Sequence, residues 1–281
     1  MILVDIGNSG LRATHVLDSH LFAGERVFRL SWDAAGATQR KSTPQQLAAP
    51  DQRWCDLQDH NAFEWLVSNF GHASKDRWII SCVQRTALSH LNRCLEGRNL
   101  LGQVKLIRYV DLPFTTYVDE PQKTGIDRLL AAWGSKQYLS GKSVACPIIV
   151  VQAGTAVTVD WIDEQGAYCG GAIMPGLGLS LQLLAAGTDQ LPWLGNHLVD
   201  TLPELPGKNT VHAISAGVNA ALVGGTKHLI DRYRQSSQLG EKTPVVVTGG
   251  DGKLLLPHIE KPVWFFDHLV LFGLSLLGRE Q

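Results

Sequence analysis

Two strand–turn–strand stretches constrain this chain more than anything else in it. Val150–Asp160 reads VVQAGTAVTVD: an apolar strand, a tight turn at Gly154-Thr155-Ala156, and a second strand. Ile2–Ala13 reads ILVDIGNSGLRA and follows the same plan around Gly7 and Gly10. Small residues in each turn let backbone N–H groups approach an anion closely. Hydroxyl and amide side chains in the same turns can bond phosphate oxygens. Two such hairpins in one chain predict two related domains that meet at a phosphate site.

The bulk numbers exclude several classes. With 281 residues there is chain enough for one large domain or two medium ones. A hydrophobic share of 44% against 18% charged marks a globular chain rather than a disordered one. The formal net charge of −1 gives no support for a nucleic-acid surface, so an anionic ligand needs a local site. Five cysteines, an odd count with no CxxC, favour reduced thiols in a cytoplasmic protein over a disulfide framework. The ten histidines include no HxxxH and no HExxH, so no zinc site is expected. The opening MILVDIG lacks the basic start of a signal peptide. Val263–Leu277 is apolar but carries Asp267 and His268, and it falls short of the about 20 apolar residues that span a bilayer. A buried terminal helix is expected there instead, and no membrane partner.

Taken in order, Ile2–Ile6 is predicted as a buried central strand, Leu11–Leu17 as its hairpin partner and Leu21–Leu30 as an extension of the sheet. Ser31–His60 is polar, with Pro44 and Pro50, and reads as a loop-rich insertion with some helix. Phe63, Leu66, Val67 and Phe70 have helical spacing within Asn61–Phe70. Arg77–Val83 and Val104–Val110 read as strands, with a helix over Arg85–Leu95 between them. That alternation is α/β. A boundary is placed near 111–121, giving domains over 1–115 and 116–281. Helices follow over Ile126–Tyr138, Leu177–Ala186 and Thr210–Arg234, with strands at Ile148–Val151, Tyr168–Ile173 and Val245–Val247. The Ala and Gly run from Ala213 to Gly225 has two readings, close helix packing or a flat face for a nucleotide. The Thr248-Gly249-Gly250 turn suits a ligand's approach.

Common nucleotide and esterase motifs are missing. Gly141-Lys142-Ser143 lacks the Gly of a P-loop at position 136, which is Lys. Gly207-Lys208-Asn209 fails in the same way at Leu202. No GxGxxG follows a strand and no GxSxG occurs.

An ordered set of segments resembles the type III pantothenate kinases, within the acetate and sugar kinase/Hsp70/actin superfamily. The segments are DIGNS at Asp5–Ser9, TGIDR at Thr124–Arg128, AGTAVTVD at Ala153–Asp160, GGAIMPGLGLSLQLL at Gly170–Leu184, TDQLP at Thr188–Pro192, GKNT at Gly207–Thr210 and VVVTGG at Val245–Gly250. The resemblance implies an α/β chain of two RNase H-like, actin-like ATPase domains facing across a nucleotide cleft, in a homodimer. It implies transfer of the γ-phosphoryl of ATP to the hydroxyl of pantothenate, giving 4′-phosphopantothenate on the way to coenzyme A.

The same resemblance assigns residues. The ATP loop maps to Asp5, Ile6, Gly7, Asn8, Ser9, Gly10, Leu11 and Arg12, with Asp5 holding Mg²⁺ through water. Gly154 and Thr155 grip the phosphates from the second domain. Asp127 matches the catalytic base, a weak one at the ordinary carboxylate pKa of about 3.9. Arg128 would take the substrate carboxylate, with Gly125, Ile126, Tyr117 and Thr188 lining the substrate site. Gln152 stands where the family has Asp, a carboxylate associated with the activating monovalent cation, K⁺ or NH₄⁺; an amide has an oxygen but no charge. Ala131 stands where the family tends to Asn. These departures keep two other readings open: a nucleotide-binding protein that docks a partner, and a kinase for another small hydroxylated substrate.

Overall fold

The computed structural model describes residues 1–16, 22, 26–32, 51–57, 59–70, 76–145, 147–195, 205–236, 240 and 242–279. Its residues fall into two units. The first comprises Met1–Pro113, Gln122–Leu130 and Val270–Gln281, and the second Phe114–Pro121 and Ala131–Leu269. Each unit is drawn from more than one stretch of sequence. The start of one helix and most of the last helix go with the amino-terminal unit, because their packing partners lie there.

β1 (Ile2–Ile6) is buried on both faces, which an almost unbroken apolar run demands. It pairs antiparallel with β2 (Gly10–His15), so Asp5 faces Arg12 in register, and parallel with β5 (Trp78–Cys82), so Asp5 also neighbours Ser81. With β3 (Phe28–Ser31), β4 (Gln52–Trp54) and β6 (Val104–Leu106), the sheet order is β4-β3-β2-β1-β5-β6. Strand alternation sends Ile2, Val4 and Ile6 to one face. There α1 (His60–Asn69) and α2 (Arg85–Glu96) close a core through Phe63, Leu66, Val67, Ala87, Leu91 and Cys94. Each large apolar side chain buried there contributes about 1.5–3 kcal/mol.

Leu3, Asp5, Ile79 and Ser81 face the other way. This side meets α7 (Leu269–Leu277), whose following Gly278 lies against Met1 and Ile79. The Phe22 N–H reaches the Ser275 hydroxyl at 3.4 Å. Here too begins α3 (Ile126–Ser140): Gly273 of α7 packs so closely on the Leu130 carbonyl that a Cβ would collide with it.

The second unit repeats the plan. β7 (Ile148–Ala153), β8 (Ala156–Ile162) and β9 (Tyr168–Pro175) form an antiparallel meander. β10 (Val245–Thr248) and β11 (Val263–Phe265) add on parallel, giving β11-β10-β7-β8-β9. The first sheet likewise has a meander, β1–β3, followed by parallel β5 and β6. Apolar residues of β7, β8 and β10 pack on Leu177 and Leu181 of α4 (Leu177–Gly187) and on Ile214, Val218 and Leu222 of α5 (Thr210–Arg234). A four-residue turn, α6 (Gly252–Leu255), follows β10.

Several expectations need correction. Val263–Leu277 is a strand and a helix, separated by Asp267 and the positive-φ His268 (φ 58°), which interrupt any continuous helix. The 31–60 stretch holds β4, a three-residue edge strand too short to leave a periodic signal. Val104–Val110 is strand only to Leu106, and a 3-10 turn occupies Tyr109–Asp111. Leu17, Leu21 and most of 31–60 lie outside the described residues. On α5 the two readings divide. Gly225 packs tightly on Met174, where a Cβ would stand 3.1 Å from the sulfur. Ala213, Gly217 and Ala221 instead line a cavity of about 930 Å³ with Leu183, Leu184 and Leu191.

Gly273→Ala should lower unfolding stability in urea by on the order of 1 kcal/mol, because overpacking outweighs the helix-propensity gain of Ala. An unchanged midpoint would mean that α3 and α7 can separate without cost.

Candidate active site

In the first unit the site grows from the end of β1. Asp5 is 5% exposed, and its Oδ1 accepts the Ser81 hydroxyl at 2.9 Å. Its Oδ2 lies 3.5 Å from the Arg12 guanidinium. Burial raises the Asp5 pKa above its usual range, although Arg12 and Ser81 pull the other way. The loop after it closes through the Gly7 N–H on the Gly10 carbonyl at 2.8 Å, so that N–H is committed inside the turn. Gly10 is required by the close approach of β3, since a Cβ there would stand 2.6 Å from the Leu30 carbonyl.

Trp32 holds this loop from outside. Its indole N–H donates to the Asn8 carbonyl at 2.8 Å and its backbone N–H to the Ser9 carbonyl at 3.1 Å. The ring is buried, tilted against Phe63 at 6.2 Å. Neither Ser81 nor Trp32 was among the expected site residues. Ser81 carried a sequence signal, a lone hydroxyl in the apolar run WIISC; Trp32 carried none.

Asp127 occupies the first turn of α3, in the same unit. Its Oδ1 accepts the Arg128 backbone N–H at 2.9 Å. Gly125 makes this rotamer possible, because a Cβ would stand 2.5 Å from that oxygen. Burial, and then the negative charge of Asp5, push the Asp127 pKa up to about 6, against the Arg128 amide and guanidinium. The carboxylate is thus a stronger base than the ordinary aspartate expected from sequence. Ile126 is buried beneath it, and Arg128 is half-buried.

In the second unit, Gly154 and Thr155 form the turn between β7 and β8, closed by the Gly154 N–H on the Ala156 carbonyl at 3.1 Å. Gly176 donates its N–H to the Thr155 carbonyl at 3.0 Å, and a Cβ on it would strike the Gly154 carbonyl. Gly249 (φ 96°) presses on Ala153 from the end of β10 in a backbone state that glycine readily adopts. Two glycine-bearing segments thus press on one turn that itself carries Gly154, a cradle of backbone with few side chains. Beside it, burial pushes Asp251 up to about 6. Gln152 is half-buried near the end of β7, in register with Thr158 and Thr248. Thr188 ends α4, its hydroxyl donating to the Leu184 carbonyl at 2.7 Å. Tyr117 is 65% exposed, its N–H on the Tyr168 carbonyl at 2.8 Å. Ala131 is fully buried. The first unit therefore brings together Asp5–Arg12 and Gly125–Arg128; the second holds Tyr117, Gln152, Gly154, Thr155 and Thr188.

Asp5 fits a hard divalent cation, with Asp127 in the same unit. Both offer oxygen donors, and burial disfavours their charged forms without a counter-charge. The Ser81 and Arg12 contacts on Asp5 suit a hold through water.

Comparison with known proteins agrees with this architecture. A type III pantothenate kinase from Rhodopirellula baltica is 40% identical over 156 residues, 55% of this chain and 53% of that one. One from Rhodospirillum rubrum is 34% identical over 172 residues, 61% of this chain and 63% of that one. The chain spans little more than half the length of these curated relatives. Among solved structures, a Baf family protein from Campylobacter jejuni, described as a transcriptional activator, aligns over 99% of this chain and 96% of its own with TM-score 0.54 and 20% identity. A protein from Sinorhizobium meliloti, described as a 2-dehydro-3-deoxygalactonokinase, aligns over 99% and 95% with TM-score 0.52 and 14% identity. These two likenesses support the fold alone, a two-sheet α/β architecture. The sequence profile of the type III pantothenate kinases matches residues 1–232, and the chain belongs to that family.

Proposed function

We propose that this chain transfers the γ-phosphoryl of ATP to the hydroxyl of pantothenate, yielding 4′-phosphopantothenate, as a cytoplasmic homodimer. The observation that carries the reading is Asp127, a carboxylate raised to about 6 at a helix start, beside a second buried carboxylate. Phosphoryl transfer asks a protein for positioning and charge neutralisation more than for covalent chemistry. A base with pKa near 6 is ionised at neutral pH and close enough to it to accept the hydroxyl proton as the bond forms.

In this reading the Asp127 carboxylate, which also accepts the Arg128 amide at Oδ1, faces the hydroxyl. The Arg128 guanidinium takes the substrate carboxylate, bidentately if geometry allows two parallel bonds. Gly125, Ile126, Tyr117 and Thr188 complete the substrate contacts. Asn8 and Ser9, with Gly7 shaping the turn and Ile6, Gly10, Leu11 and Arg12 fixing its stem, meet the phosphates of ATP, as do Gly154 and Thr155. Asp5 would hold Mg²⁺ through water; when bound, that ion neutralises phosphate charge. Gln152 offers an uncharged amide where the family has a carboxylate, so the monovalent-cation requirement is weakened.

Pantothenate-dependent ADP release should appear in K⁺, NH₄⁺ and Na⁺ buffers alike, within about threefold. Folded protein showing no such release in any buffer would overturn the kinase reading and favour a partner-binding role. A loss of more than about tenfold in Na⁺ would overturn only the role given to Gln152.

The kcat/KM profile should fall as pH drops through about 6, where Asp127 takes up its proton. Gly125→Ala, which displaces that carboxylate, should lower kcat by about 100-fold. A loss confined to KM would argue that Asp127 only binds substrate.

The same shift affects stability. The unfolded chain releases this proton near 3.8 and the folded one near 6, so ionised Asp127 is a burden fully present above pH 6 and absent below pH 4. Asp127→Asn should therefore abolish turnover yet stabilise metal-free protein at pH 8 by on the order of 1–2 kcal/mol, discounted for partial exposure. The gain should vanish near pH 4. Equal stability of the two proteins at pH 8 would contradict the raised pKa.

A further inference from the structure

The α1–α2 contact in the first unit carries a group of side chains that the kinase reading leaves unused. His60 and Glu64 stand one turn apart on α1, with His60 Nε2 3.5 Å from Glu64 Oε1. Across from them on α2, Cys94 Sγ lies 3.7 Å from His60 Nδ1. One ligand atom from each of the three falls within 4.8 Å of the others. The arrangement contains no HxxxH. Its two halves read H-x3-E and H-x3-C, and only the helix packing joins them.

We propose that His60, Glu64 and Cys94 form a binding site for a borderline-soft divalent cation of the zinc type, clamping α1 to α2. The donor set decides the class of metal. A thiolate, an imidazole and a carboxylate are the three zinc donors, whereas Mg²⁺ and Ca²⁺ take oxygens. Zinc bonds of about 2.0–2.3 Å put tetrahedral ligands roughly 3.3–3.8 Å apart. With one atom from each residue the three lie within 4.8 Å of one another, and Glu64 and Cys94 approach opposite nitrogens of His60, whose exposed ring can turn to present one of them.

The surroundings support ligation. Arg98 holds the other Glu64 oxygen, Oε2, at 2.6 Å and so orients Oε1, as outer-sphere partners of metal ligands do. The same arginine donates to the Cys94 carbonyl at 3.1 Å. His90 stands one turn before Cys94, its ring stacked on Phe63 at 5.5 Å. Its Nδ1 is buried and makes no hydrogen bond, and burial together with Arg93 and His60 lowers its pKa. A water fills the fourth position. Burial and Glu64 push the Cys94 thiol up to about 12. The thiol is therefore protonated without metal, and its proton passes to solvent as the metal–sulfur bond forms.

The site is remote in role from Asp5. α1 and α2 cover the Val4 and Ile6 face of the sheet, and Asp5 points to the other. The expected consequence is stability of the first unit rather than chemistry.

The test is a Co²⁺ titration of metal-free full-length protein, read by the thiolate-to-cobalt charge-transfer band and followed by Zn²⁺ competition and thermal melts. The parent should show the band, and Zn²⁺ should abolish it and raise Tm by several degrees. Cys94→Ser should lose the band. His60→Ala, an exposed change that leaves the core intact, should weaken Co²⁺ affinity at least about tenfold. Cys55→Ser should match the parent. No band in folded parent, or an equal band in Cys94→Ser, or parental affinity in His60→Ala, would overturn the proposal.

Discussion

A carboxylate set inside an apolar strand is the constraint on which the rest of the first unit depends. Asp5 sits between Val4 and Ile6 in the middle of a sheet, and little water reaches it there. Its neighbours in register are therefore polar, Arg12 on one side and Ser81 on the other. Those two contacts satisfy the carboxylate without neutralising it, and its remaining charge is felt at Asp127. Two groups that repel each other are held together by a fold that gains more from its apolar face than it loses at this spot. That is the usual signature of a functional site, where stability is given up locally for reactivity.

The second unit meets a related demand by opposite means. It gathers carbonyls and N–H groups around the Gly154–Thr155 turn and keeps side chains away. The glycines at 176 and 249 are steric requirements rather than flexible joints, since any Cβ would strike the neighbouring backbone. One unit thus brings side-chain charge and the other bare backbone dipoles, on sheets of matching topology.

Both hairpins were legible in the sequence, because apolar strands flanking small-residue turns leave a local signal. So were α1, α2, α4 and α5, whose periodicity spans several turns. Asp127 and Arg128 could be found only through the family's ordered segments; a helix start bearing Asp-Arg is otherwise ordinary. The elevated basicity of Asp127 was not legible, since it comes from burial and from Asp5, more than a hundred residues away in sequence. Trp32 was missed for a similar reason: its hydrogen bonds go to carbonyls, which any residue supplies. Val263–Leu277 misled because apolar content alone cannot separate a short buried strand from a helix, and the break lies in the backbone of His268. The cluster at His60, Glu64 and Cys94 exists only once two helices pack.

The interleaving of the two units has a consequence for synthesis on the ribosome. The strand bearing Ile79 is made early, yet the residue that packs on it, Gly278, follows about 200 positions later in the chain. The amino-terminal sheet is therefore made long before its own lid, while the second unit, nearly contiguous over Ala131–Leu269, can close on itself in the meantime. The first unit waits on a distant segment for its packing, and until that segment is made the nascent chain carries an uncovered apolar face.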